Sequence, residues 1–158
     1  MNEAHFHLLV NHFPITGTIL GLLTLGFGLL FKNETVIKTS LFLIAFTSLL
    51  AIPSLLSGEG AEEAIEDLTG VSHDLIHEHE EKGELFLKFS IALAILSLVS
   101  IWSITKQKKF KAAILWVTLG FGLATAFLAT QVGISGGQIR HPEIESQAVE
   151  ASSNGILE

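Results

Sequence analysis

The stretch AAILWVTLGFGLATAFLATQVGISGGQI, residues 112–139, contains no Asp, Glu, Lys or Arg. Three further stretches are equally free of charge: residues 4–31, 39–58 and 89–105. A helix needs ~20 apolar residues to cross the ~30 Å hydrocarbon core of a bilayer. The shortest stretch reaches that length because residues 85–87 are also apolar and the long Lys88 side chain can place its ammonium at the interface. The sequence therefore predicts four transmembrane helices.

The composition of the whole chain agrees with a location in lipid. Its 158 residues are 49% hydrophobic with a mean hydropathy of +0.54, which is too apolar for a soluble protein of one domain. The absence of cysteine excludes disulfides, thiolate-bound metals, cysteine-ligated iron–sulfur clusters and c-type haem. The formal net charge of −7 argues against nucleic acid as a partner, because binding to phosphates requires clustered Lys and Arg. Any cofactor must be held by imidazole, carboxylate, amide or hydroxyl groups.

The basic residues predict the orientation of the chain. Lysines concentrate around the connections that follow the first and third helices, at Lys32, Lys38, Lys106, Lys108, Lys109 and Lys111. Cytoplasmic connections of membrane proteins carry an excess of Lys and Arg. We therefore expect a multi-pass protein of the bacterial inner (cytoplasmic) membrane, with both termini and residues 57–84 on the periplasmic side. All seven histidines would then lie on that side.

The predicted architecture is an all-α bundle of four transmembrane helices. The spans are expected at about residues 13–31, 39–56, 85–105 and 112–135. Residues 1–142 form the membrane domain, and residues 143–158 form a polar tail that we expect to be mobile. A short helical segment, acidic and His-rich, is expected between helices two and three on the outer side. Pro14 suits the first turn of a helix, and Pro53 is expected to bend the outer end of helix two.

The outer segment carries possible metal ligands at helical spacing. Four residues follow one another at steps of four, three and four, which places them on one helix face: His73, His77, Glu80 and Glu84. Two imidazoles four residues apart can chelate one ion, and added carboxylates suit zinc, iron or manganese. The alternative is a solvated acidic helix in which carboxylates repeat by chance. His79 lies off this face and is not part of the predicted set.

Further candidates lie where the first and fourth helices reach the outer surface. His7 and His12 bracket an apolar stretch at the start of the first helix, and His141 follows the fourth. A histidine at the membrane edge is costly unless it has a partner or water. We expect His12 and His141 to face one another across the bundle. The alternative is that both are interfacial anchors.

Two motifs resemble a known family. The residues FHLLVNHFPI, Phe6–Ile15, are similar to the opening of a bacterial four-span membrane domain of unknown function, which begins with a His-Pro-x-x-Val-His-Phe-Pro-like string. The residues GISGGQIRH, Gly133–His141, resemble the Gly-Gly-x-x-x-His-like turn that ends helix four in that family. The resemblance covers most of Ala4–Pro142 and departs from the pattern at Leu8 and Asn11. Some relatives are fused to Rieske iron–sulfur domains, which implies a redox setting.

The preferred functional hypothesis is a membrane redox subunit that binds haem b at the periplasmic face. It would take part in electron transfer with other membrane or periplasmic redox proteins. His12 and His141 are the expected ligands from the two ends of the chain, with His73 or His77 from the outer segment, since imidazoles from two helices can clamp iron axially within a bundle. Arg140 is expected to pair with a haem propionate, because its guanidinium matches carboxylate geometry.

Two alternatives remain open at this point. The first is a non-haem iron, copper or zinc site formed by His7, His12, His73, His77, Glu80, Glu84 and His141. The second is a cofactor-free accessory subunit of a larger membrane complex. The sequence contains no recognised hydrolase or phosphate-binding motif, so it names no catalytic residue.

Overall fold

The computed structural model describes residues 3–63 and 73–140, apart from the side chains of residues 3, 4, 59, 62 and 140. Within this part of the chain there are helices and short turns but no β-strand. The helices are α1 (Glu3–Leu30), α2 (Glu34–Leu49), α3 (Ala51–Leu56), α4 (Gly58–Glu63), α5 (His73–Thr105) and α6 (Lys111–Arg140). Four segments, the second made of α2 and α3 together, are long and apolar enough to cross a membrane. The predicted all-α, four-helix architecture is confirmed.

Two tight turns at the lysine-bearing end of the bundle, here called the lysine end, connect the helices in antiparallel pairs. After α1, Lys32 adopts a left-handed backbone conformation with φ 51°. Asn33 then caps α2, since its side-chain oxygen accepts a hydrogen bond from the Val36 amide at 3.1 Å. The turn between α5 and α6 uses the same left-handed conformation at Gln107, with φ 48°.

The second span is interrupted between α2 and α3. The first of these helices ends at Leu49, and the next begins at Ala51. Pro53 explains the break, because it has no amide hydrogen to donate to the Leu49 carbonyl and its ring crowds that carbonyl. The expected effect of Pro53 on the end of helix two is present as this interruption.

Pro14 does not begin a helix, in contrast to the expectation from the sequence. Helix α1 starts at Glu3, and Pro14 lies inside it with its ring fully buried. The proline leaves the carbonyl of Val10 without its usual helical donor, a defect that membrane helices tolerate when neighbouring groups pack against it. The first helix therefore begins about ten residues before the predicted span.

The acidic, His-rich segment is in part an extension of the third span. Helix α5 runs from His73 to Thr105 without a break, so its first turns precede the uncharged stretch that begins at Phe89. The predicted separate outer helix is the first part of α5. Residues 64–72, which complete the segment, and the predicted mobile tail at residues 143–158 lie outside the described residues.

The long segments pack as a ring in the order α1, α2–α3, α5 and α6. Contacts join α1 to α2, α2 to α5, α5 to α6 and α6 to α1. Glycines allow close approach at two of these interfaces. A side chain at Gly21 would collide with Ile44 of α2, and one at Gly122 would collide with Leu22 of α1.

The interior contains two apolar clusters. The lysine-side cluster consists of Leu22, Leu25, Ile37, Leu41, Ile44, Leu93 and Ile104. The histidine-side cluster consists of Ala51, Phe86, Ala129 and Val132. Large apolar side chains also cover the outside of the bundle, among them Phe27, Phe42, Trp116 and Phe127. An apolar exterior around a partly polar interior is the arrangement that lipid requires.

Candidate metal centre at the histidine end

A histidine of α1 is held at the end of the bundle opposite the lysines, here called the histidine end. His7 is half-buried, and its Nδ1 lies 2.9 Å from Ser57 Oγ at the junction of α3 and α4. The Ser57 hydroxyl donates its hydrogen to the Ser54 carbonyl oxygen at 2.8 Å. With that hydrogen directed to Ser54, Ser57 Oγ is free to accept a hydrogen from His7 Nδ1, and we assign the Nδ1–H tautomer to His7 from this network.

A histidine of α5 has the same surroundings. His79 is also half-buried, and its Nδ1 lies 2.8 Å from Ser135 Oγ of α6. The Ser135 hydroxyl donates to the Val132 carbonyl oxygen at 3.1 Å. By the same reasoning Ser135 Oγ accepts from His79 Nδ1. Each histidine therefore donates to a serine that in turn donates to the carbonyl three residues before it.

The two imidazoles thus share one tautomer. With hydrogen on Nδ1, the lone pair of Nε2 is available to a metal, and the hydrogen bond to serine fixes the orientation of the ring. His7 and His79 both lie at the histidine end. They come from diagonal corners of the helix ring, while the two serines come from the other corners. The centre is therefore built by all four long segments together.

A glycine follows each serine and lies beside the imidazole. A Cβ atom at Gly58 would lie 3.8 Å from His7 Cε1, and one at Gly136 would lie 3.2 Å from His79 Cε1. The second distance is tighter than ordinary van der Waals contact. The two serine–glycine pairs therefore both contact an imidazole, and at Gly136 the absence of a side chain makes room for the ring.

Asn11 adds a polar atom near the same end. It follows His7 by four residues and so lies on the same face of α1. Its Oδ1 atom is buried and has no hydrogen-bond partner among the described residues. Buried polar groups are normally bonded to protein, to ordered water or to a ligand. Asn11 is therefore consistent with a ligand or water at the histidine end.

Comparison with protein-family models, curated proteins and solved structures finds no match to this chain. The candidate centre therefore rests on side-chain geometry, and the family resemblance of the two sequence motifs stays a prediction.

The predicted pairing of His12 with His141 stays a prediction, because His141 lies outside the described residues. His12 lies on the exposed side of α1, where its Nδ1 donates to the Leu8 carbonyl oxygen at 2.6 Å. This differs from the expectation that His12 faces across the bundle, because a histidine one residue after inward-facing Asn11 is turned away from the interior. His141 and the side chain of Arg140 lie outside the described residues. Their roles as ligand and propionate partner stay predictions.

The predicted ligands on α5 are exposed. His73 has an exposed side chain, and His77 lies 3.6 Å from Glu80 on the outside of the helix. Glu84 forms an ion pair with Lys88 at 3.1 Å. Within residues 3–63 and 73–140, no group of three or more His, Asp or Glu side chains is placed to hold a metal ion. The seven-residue non-haem site stays a prediction that depends on undescribed residues.

The sequence interpretation missed His79 and both serines. His79 follows His77 by two residues, which on a helix turns the two side chains to nearly opposite faces, and the inward-facing one is His79. The available signal was the recurrence of Ser-Gly at positions 57–58 and 135–136, each at the outer end of an uncharged stretch. Only the paired contacts to imidazole give that recurrence a meaning.

Proposed function

We propose that this chain is a membrane redox subunit that binds a transition-metal cofactor, haem b in the first instance, through Nε2 of His7 and His79. The supporting observation is the pair of imidazoles whose Nδ1 atoms each lie within hydrogen-bond distance of a serine hydroxyl. A histidine that ligates a metal ordinarily donates its other ring hydrogen to a fixed acceptor, and both rings meet this condition.

Haem b suits this donor set better than a bare ion does. Haem takes its equatorial ligands from the porphyrin and needs only axial ligands from the protein, whereas zinc sites take three or four protein ligands. Two histidines from diagonal corners of a helix ring supply two axial ligands, and bundles commonly hold cofactors between facing helices. When bound, haem iron supplies reversible one-electron transfer.

The residues around the imidazoles have their own tasks in this proposal. Ser57 and Ser135 hold the rings in orientation, and Asn11 offers an amide group to a polar edge of the cofactor or to a water beside it. The histidine-side cluster lies beneath the centre and excludes water from the membrane side. The centre lies at one end of the bundle, so membrane or periplasmic redox partners are proposed to exchange electrons there.

The direct test is to purify the protein in detergent, record a reduced-minus-oxidised visible spectrum and measure bound metals. Sharp bands at b-type positions are expected, with about one iron for each chain or pair of chains. Bound iron, copper or zinc without such bands would contradict haem and support the non-haem metal site instead. Neither bands nor metal in protein from cells supplied with haem and metals would contradict the proposal in favour of a cofactor-free accessory subunit.

The serine contacts predict a graded loss of affinity. Changing Ser57 or Ser135 to alanine is expected to weaken cofactor binding by roughly 10–100-fold, since loss of the group that hydrogen-bonds to a metal-bound histidine has about this effect. Titration of the apoprotein with haem, followed in the visible spectrum, measures it. Ser40→Ala is the matched control, because its hydroxyl bonds only to the backbone of its own helix. Equal haem affinities in all three variants would show that Ser57 and Ser135 do not support the cofactor ligands.

The histidine end is proposed to face the periplasm. The chain has no cysteine, so single cysteines report accessibility without a background. In intact cells, a membrane-impermeant thiol reagent is expected to label Glu63→Cys at once and Lys109→Cys only after permeabilisation. Glu63 and Lys109 are both exposed, so burial does not bias the comparison. The reverse pattern would invert the proposed orientation while leaving the metal proposal to be judged by the spectrum.

A further inference from the structure

A second polar feature lies inside the bundle, between the two apolar clusters. Four hydroxyl side chains, one from each long segment, are completely buried: Thr18, Ser48, Ser90 and Thr125. Contacts between neighbouring helices show that they lie at one level, here called the hydroxyl layer. This layer is independent of the proposed cofactor centre.

Two of these contacts set the level along α5. Gly83 of α5 lies beside Leu55 of α3, since a Cβ at Gly83 would be 3.4 Å from Leu55 Cδ1. Ser90 is seven residues after Gly83, and Ser48 is seven residues before Leu55. The two segments are antiparallel, so both steps lead toward the lysine end. Seven residues are two helical turns, so Ser90 and Ser48 end at the same height. The hydrogen bond between His79 and Ser135 relates α5 to α6 in the same way. Ser90 is eleven residues after His79, and Thr125 is ten residues before Ser135, so these two also end at nearly the same height.

Two further contacts bring α1 to the same level. Gly122 of α6 lies beside Leu22 of α1, since a Cβ at Gly122 would be 2.6 Å from Leu22 Cδ2. Thr18 is four residues before Leu22, and Thr125 is three residues after Gly122. Both steps lead toward the histidine end, so Thr18 and Thr125 end at nearly the same height. Thr18 also follows Gly17, which packs against Thr47 beside Ser48. Because α1 and α2 are antiparallel, this contact places Thr18 and Ser48 about two residues, or ~3 Å, apart along the bundle. The four interfaces therefore place the four hydroxyls within about one helical turn of one level.

The buried hydroxyls of the bundle divide into those bonded within their own helix and those without a partner among the described residues. The second group also includes Ser97 and Ser103, which lie two or more turns from the hydroxyl layer on α5. Thr47, Thr118 and Thr125 each donate to the carbonyl four residues earlier in their own helix, at 2.9 Å. The hydroxyls of Thr18, Ser48 and Ser90 have no hydrogen-bond partner among the described residues. Thr125 still has lone pairs to accept a bond. Three unpartnered hydroxyls and one possible acceptor therefore lie at about the same height in the bundle.

Apolar side chains close the layer on both sides. One turn toward the histidine end lie Phe86 and Ala129, and one turn toward the lysine end lie Leu93 and Ile44. Unpaired hydroxyls in such surroundings are costly, whereas a water molecule with two to four polar partners is a regular component of protein interiors. A cation is poorly served, because the layer contains no carboxylate.

We propose that the hydroxyl layer binds ordered water, which bridges Thr18, Ser48 and Ser90 and donates to Thr125. The water completes the hydrogen bonds of four different helices. It therefore reinforces the relative height of the helices, which close packing at the glycines sets. The site is built for water specifically, because each contributing group is a small neutral hydroxyl.

The cysteine-free chain allows a direct test by infrared spectroscopy in detergent. Ser90→Cys and Ser48→Cys each introduce the single S–H group of the protein, and Leu93→Cys does so in the neighbouring apolar cluster. On transfer to D₂O, the S–H band of both layer variants is expected to be replaced by an S–D band at least tenfold faster than that of Leu93→Cys. Equal rates for all three, whether fast or slow, would overturn the proposal.

Two more measurements keep the proposal open to refutation. A shift of the Ser90→Cys band when sodium replaces choline would overturn water in favour of a cation. If the cysteine variants do not fold, the melting temperature of Ser90→Ala distinguishes a hydroxyl bridged by water from a dry, unpaired one. A bridged hydroxyl leaves its water partners unpaired when removed, so a lower melting temperature is expected. A higher one, as expected for the loss of a dry, unpaired hydroxyl, would overturn the proposal.

Discussion

Replacing His79 by alanine is expected to abolish cofactor binding at the histidine end. The proposed centre has only two described imidazole ligands, and His79 supplies one of them. Loss of a direct ligand should weaken binding by more than the roughly 10–100-fold expected when a ligating histidine loses its hydrogen-bond partner. The affinity of the apoprotein for haem is therefore expected to fall by more than about a hundredfold. The same result is expected for His7→Ala, because its hydrogen bonding matches that of His79.

The matched control for this experiment is His77→Ala. His77 lies on the same helix two residues earlier, but its side chain is exposed and lies near only Glu80 and Glu81. Haem binding is expected to be unchanged in this variant. If His79→Ala retains full occupancy while His12→Ala loses it, the ligands are those expected from the sequence, and the assignment to His79 is wrong.

A large loss of stability is expected from Gly21→Ala. An added Cβ would lie 2.5 Å from Ile44 Cγ1, inside the lysine-side cluster where both helix backbones are closely packed. Overpacking of this kind costs about 1–3 kcal/mol, so the midpoint of unfolding in detergent should fall. Gly26→Ala is the control, because a Cβ there meets nothing within 4 Å. Its stability should be unchanged or raised by up to ~1 kcal/mol through helix propensity.

A second variant separates the collision from other effects of alanine. Ile44→Ala removes the Cγ1 atom that the new Cβ would strike, and the next atoms of Ile44 lie 3.5 Å away. The double variant Gly21→Ala with Ile44→Ala should therefore be more stable than the sum of the single losses predicts. Strict additivity would show that α1 and α2 do not meet closely at this level.

The four spans could be predicted because the constraint on them is one-dimensional. Charge is so costly in hydrocarbon that an uncharged run of sufficient length is diagnostic in itself, and all four runs became helices. The ends of the helices were harder to predict from the sequence. Pro14 was expected at a helix start but lies inside α1, because neighbouring helices bury its ring and compensate for the missing donor.

The candidate site was predicted only at the level of its residue types and its end of the bundle. Regular spacing of His and Glu on α5 drew attention to the face that contains His77, yet that face is exposed. Spacing along a helix identifies residues that share a face, but it does not tell which face meets the neighbouring helices. His79 is therefore invisible to this kind of reasoning until the packing of α5 against α6 is known.

The sequence by itself determined that the chain is a helical membrane bundle with histidines gathered at one end, because hydrocarbon thickness and the cost of buried charge act on the chain segment by segment. Only the tertiary structure decided which imidazoles turn inward, which serines hold them, and that four hydroxyls from distant positions share one level. These properties depend on the rotation and height of each helix relative to its neighbours, which are set by close contacts at residues such as Gly21, Gly83 and Gly122.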